Sequence, residues 1–128
     1  MLKPSEEWFK QAQYDLNTAE ALFQAERYIY VVFICHLAVE KALKGLYTRK
    51  FEKEPPKVHD LIFLTAKIGL DLPEDKKAFL KRVNELSVPT RYPETLDRLL
   101  REYDTKRTKD VLLQAKELVE WLVQRLEK

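Results

Sequence analysis

Residues 28–49 read YIYVVFICHLAVEKALKGLYTR, and how this stretch folds decides the rest of the chain. Its opening, Tyr28 to Cys35, is apolar on every side and rich in β-branched and aromatic residues, which locally suits a strand. The continuation argues the other way. Leu37, Ala38, Ala42, Leu43 and Leu46 carry a helical period onward without a break. The spacing therefore predicts one helix from about 28 to 49. A helix that is apolar all round needs cover all round. In a chain of 128 residues a partner chain is expected to supply part of that cover. Glu40 and Lys44 stand four residues apart, in the favourable order for a helical ion pair.

Working outward, Ser5 reads as the cap of a first helix over about 5–26, with Glu6 and Glu7 in its first turn. Trp8, Ala12, Leu16, Ala19, Leu22 and Phe23 supply its apolar face. Downstream, Pro55-Pro56 breaks the chain into a loop from Phe51 to Lys57. A helix over about 58–68 follows and stops at Gly69. Pro73 opens another over about 74–87, with Ala78, Phe79, Val83 and Leu86 facing inward. Val88 to Arg91 is expected to be non-helical, since Pro89 and Pro93 restrict the residues before them. Leu96, Leu99, Leu100 and Tyr103 suit a short helix, and Val111 to Leu126 marks a last one over about 106–127, with Trp121 at its edge. The expected fold is all-α: an up-and-down bundle of four main helices with room for a short fifth, in a single domain over 1–128.

Composition narrows the function classes. Two glycines, Gly45 and Gly69, exclude a Walker loop and a dinucleotide-binding glycine fingerprint. One cysteine excludes a disulfide framework and a cysteine-rich zinc site within one chain. Lys+Arg number 23 against 21 Asp+Glu, a balance too even for a protein that coats nucleic acid, though a local basic pocket stays open. No apolar run approaches a membrane span, and the start lacks the apolar core of a signal peptide, so a cytoplasmic location is expected. His36 and His59 fit no metal-ligand spacing, and neither is followed three residues later by glutamate. No metal and no cofactor are expected.

The candidate site residues are polar groups at informative places. His36 reads as a buried or interface histidine within the apolar run. His59, beside Asp60, reads either as a cap-like residue or as a proton-transfer group. Glu40, Lys41 and Lys44 read either as a solvated face or as a charged cluster beside a phosphate-binding groove. Arg91-Tyr92-Pro93 lies between helices, where binding groups tend to sit. Arginine offers a planar donor fork to phosphate, and tyrosine can stack on a base. The competing reading is a salt bridge and a packed ring that pin the segment.

Four segments in order carry a family resemblance: Trp8-Phe9 with Ala12 and Asp15-Leu16; Ala38-Val39-Glu40-Lys41-Ala42-Leu43-Lys44; His59-Asp60-Leu61; and Arg91-Tyr92-Pro93. Together with the final amphipathic helix they resemble the HEPN family, the "higher eukaryotes and prokaryotes nucleotide-binding" domain, over nearly the whole chain. The resemblance implies a helical bundle that often forms homodimers. It implies a nucleotide- or nucleic-acid-binding module that acts with a minimal nucleotidyltransferase, as in toxin–antitoxin pairs. On this reading Arg91, Tyr92, Lys41, Lys44, Glu40 and His59 form the ligand-binding set. The alternatives are a metal-independent ribonuclease using Arg91 and His59, or a purely structural interaction scaffold. Ribonuclease members carry a histidine four to six residues after an arginine, whereas residues 92–98 here, YPETLDR, contain none. The ribonuclease motif is incomplete, and the reading leans away from an enzyme.

Overall fold

The computed structural model describes residues 2–91 and 95–126, leaving aside the side chains of residues 88–91 and 126. Among the described residues there are six helices: α1 (Ser5–Gln24), α2 (Tyr28–Phe51), α3 (Leu61–Ile68), α4 (Glu74–Arg91), α5 (Leu96–Glu102) and α6 (Thr105–Leu126). There is no strand among the described residues. The four long helices make the bundle. The two short ones, α3 and α5, fall on segments expected to be helical.

The central element is α2, which packs against each of the other five helices. Leu43, Leu61, Leu64, Leu80, Leu118 and Leu122 lie fully buried and tie α2, α3, α4 and α6 into one core. The apolar opening of α2 is largely covered by its own chain: Val31, Val32 and Cys35 are buried. Tyr30 stays 56% exposed. α1 and α2 approach closely at Gly45, where a Cβ would lie 3.1 Å from both the Phe9 ring and the Trp8 Cβ.

The ends of the helices have local causes. The cap of α1 is Pro4 rather than Ser5; its carbonyl accepts from the Glu7 amide at 3.1 Å, and no side chain caps this helix. The helix ends at Gln24, short of the expected 26, because Glu26 turns to φ 61° and the Arg27 amide donates back to the Leu22 carbonyl at 2.8 Å. Asp60 Oδ1 accepts from the amides of Ile62 and Phe63 at 3.0 and 3.2 Å, which starts α3 at Leu61 instead of 58. Gly69, at φ 77°, stops it as expected.

The expectation of a non-helical segment at Val88 to Arg91 is corrected: α4 runs through Pro89 to Arg91. Proline's fixed φ is compatible with a helix; what it removes is the amide that would serve the Glu85 carbonyl. One tertiary bond and one local bond hold the preceding turn. The Tyr103 hydroxyl donates to the Leu86 carbonyl at 2.6 Å, and the buried Ser87 hydroxyl donates to the Asn84 carbonyl at 3.2 Å. The Tyr103 bond lies outside anything a local propensity can register. No helix among the described residues is long and apolar enough to cross a membrane.

Candidate functional site

The site grows from one carboxylate on α2. Glu40 is only 5% exposed, which is costly for a charge unless it is paired. Lys44, one turn on and 8% exposed, donates to Glu40 Oε2 at 3.0 Å. His59, arriving from the loop before α3, places Nδ1 at 3.0 and 3.2 Å from the two Glu40 oxygens. The His36 Nδ1 lies 3.8 Å from Glu40 Oε1, so one buried carboxylate is ringed by two imidazoles and an ammonium.

A second hub sits on α4. The Asn84 Oδ1 accepts from the Leu61 amide at 2.9 Å and lies 3.4 Å from His36 Nε2. Its Nδ2 donates to Asp60 Oδ1 at 3.3 Å. Asn84 thus fastens the start of α3 to α4 and holds the loop that delivers His59. Sequence reasoning passed over this residue; its signal is an amide on the inward face of a helix, next to Val83 and one turn from Leu80.

The arrangement has a definite chemistry. His59 donates its Nδ1 proton to Glu40, which in the neutral ring leaves Nε2 as the basic nitrogen. The side chain is 66% exposed, so that nitrogen is open to solvent while its partner carboxylate is not. A carboxylate that orients an imidazole in this way is the pairing used for general acid–base work and for holding polar ligands.

The expected set is only partly gathered. Glu40, Lys44 and His59 come together. Lys41 turns to α1 and pairs with Asp15 at 2.9 Å, away from the cluster. Arg91 closes α4 and follows Asn84 by seven residues, roughly 10 Å along the same helix face; its side chain lies outside the described residues, as does Tyr92 altogether.

Lys44 also walls a cavity of about 290 Å³, with Lys3, Trp8, Glu54, Pro55 and Lys57 among the other lining residues. The Lys3 ammonium stands 3.8 Å above the Trp8 ring, and that of Lys44 is 6.0 Å from it. The indole Nε1 of Trp8 is buried without an acceptor among the described residues. Such a donor costs about 1–3 kcal/mol.

The HEPN domain profile matches residues 5–126, from the first residue of α1 to the last of α6. The chain belongs to the HEPN family. Two solved structures are similar to this HEPN chain. One, a protein from Thermus thermophilus, has a TM-score of 0.81 at 25% identity over 94% of this chain and 96% of that one. The other, an archaeal HEPN homologue, has a TM-score of 0.80 at 22% identity over 98% and 99% of the two chains, and shares the fold. No curated protein matches the sequence. Within this HEPN bundle, the motif Ala38 to Lys44 supplies the buried Glu40 and the motif His59-Asp60-Leu61 supplies both its imidazole partner and the cap of α3.

Proposed function

We propose that this chain is a nucleotide- or nucleic-acid-binding module, working as a homodimer beside a minimal nucleotidyltransferase. The observation that carries the reading is the Lys44–Glu40–His59 cluster, a buried carboxylate that fixes one ammonium and one solvent-facing imidazole at 3.0 Å each. Polar groups held this firmly, with Lys44 also walling a cavity, suit recognition of an anionic ligand. Membership of the HEPN family supports the same reading. Arg91 and Tyr92 complete the proposed ligand set, with Arg91 as the phosphate fork. The exposed Tyr30 on α2 is proposed to lie in the homodimer contact.

Titration of nucleotides, single-stranded RNA and a minimal nucleotidyltransferase against wild type and Arg91→Ala tests this. Wild type is expected to bind at least one of them, and Arg91→Ala to bind it at least tenfold more weakly, about 1.4 kcal/mol. Equal and negligible binding by both proteins sinks the reading.

The Glu40–His59 pair favours a second reading, metal-independent RNA cleavage with His59 as the proton-transfer group. Purified protein then cleaves single-stranded RNA in the presence of a chelator, and His59→Ala abolishes it. Cleavage that survives the substitution removes His59 from the mechanism.

A further inference from the structure

We infer that the cavity walled by Lys3, Trp8, Lys44 and Lys57 is a phosphate-binding site, placed where α1 begins and where the chain approaches α3. Its volume, about 290 Å³, sits at the small end of ligand pockets and suits a phosphate or diphosphate group better than a whole dinucleotide. Three lysines line it against one carboxylate, Glu54. The charge of Lys44 is already shared with Glu40. Those of Lys3 and Lys57 have no ion-pair partner among the described residues.

Their position is what distinguishes them. Cations stabilise the C-terminal ends of helices, where carbonyls point outward, and not the N-terminal ends. A second cationic cavity, about 410 Å³, obeys that rule: Arg49 and Lys50 lie in the last turn of α2, Arg125 in the last turn of α6, and Lys50 donates to the Ile68 carbonyl that ends α3. The fold accounts for those charges. Lys3 and Lys57 precede α1 and α3 in the chain, ahead of the helices' positive ends, where the helix dipole gains nothing from a cation. An oxyanion in the cavity satisfies both lysines at once. The Trp8 ring face is occupied by the Lys3 ammonium at 3.8 Å, so the site reads charge and not a base.

The phosphate source, a nucleotide or an RNA backbone, rests on the proposed binding role; the site itself does not. Trp121→Phe leaves Trp8 as the sole tryptophan reporter. In that background, inorganic pyrophosphate, ADP and oligouridylate are titrated at low salt while Trp8 emission is followed. Pyrophosphate is expected to shift the emission saturably with a midpoint near about 1 mM. Lys3→Gln and Lys57→Gln, both away from the core, each raise that midpoint about fivefold or more, and Lys50→Gln in the second cavity leaves it unchanged. Tighter binding of ADP assigns the phosphate to a nucleotide, and tighter binding of oligouridylate assigns it to RNA. No saturable response up to about 20 mM pyrophosphate, or an equal loss in Lys50→Gln, overturns the site. ADP affinity that is undiminished in both Lys3→Gln and Lys57→Gln also overturns it, and leaves the broader binding function standing.

Discussion

The buried carboxylate of Glu40 receives the Nδ1 of an exposed histidine, His59, on both oxygens, at 3.0 and 3.2 Å. The two residues are nineteen apart in the chain and on different elements, so the bond exists only because the loop after α2 folds back along it. The asymmetry of burial separates their roles. Glu40 belongs to the interior and needs its partners; His59 belongs to the surface and is available for a ligand.

Removing the charge of Glu40 leaves Lys44 buried without compensation. Glu40→Gln is therefore expected to lower unfolding stability by about 3 kcal/mol. Glu40→Gln combined with Lys44→Met recovers a large part of that loss, because no lone charge remains inside. Urea denaturation of the two variants checks this; a double variant no more stable than the single one contradicts it.

His59→Ala removes an exposed partner and is expected to cost less than about 1 kcal/mol. Asn84→Ala deletes the oxygen that accepts from the Leu61 amide and frees the loop from α4, at about 1–3 kcal/mol. The order of the two melting temperatures is the measurement: His59→Ala stays near wild type and Asn84→Ala falls below it.

Alkaline stability depends on Cys35 and Tyr103. Burial pushes the Cys35 thiol from 9.0 up to about 12, with the charge of Lys116 opposing. Burial, with the charge of Glu102, also raises the Tyr103 hydroxyl above its usual 10.0. Between 9.0 and about 12 the unfolded thiol has lost its proton while the folded one keeps it. The unfolded state then binds fewer protons, so stability falls as pH rises through this window, having been fully present below it. Urea midpoints at about pH 8 and about pH 10.5 should show the loss, and Cys35→Ala should reduce it. The same thiol is expected to resist thiol reagents at neutral pH until the chain unfolds.

Glycine inside a helix ordinarily costs about 1 kcal/mol relative to alanine. At Gly45 that gain is expected to be absent, because the new methyl meets Phe9 and Trp8 at 3.1 Å with α1 packed behind them. Gly45→Ala should be neutral to destabilising, and Gly45→Val destabilising by about 1–3 kcal/mol. Thermal melts that place Gly45→Ala clearly above wild type would show that α1 can move aside.

Much of this protein was legible as a string of residues. Apolar period, Gly69 and the Pro55-Pro56 break were enough to place α1, α2, α3 and α6 within a few residues, because helix formation answers to side chains three and four apart. The pairing of Glu40 with Lys44 was equally local. The reach of α4 through Pro89 was not, since the Tyr103 bond that holds its last turns comes from seventeen residues away. Nor was the parting of Lys41 from Lys44, which depends on where α1 lies against α2 and puts Asp15 within 2.9 Å of one lysine and not the other. Short-range order follows from the chain itself, whereas the meeting of Glu40 with His59, and of Lys3 with Lys57, is decided only when the helices pack and bring distant charges into one dielectric.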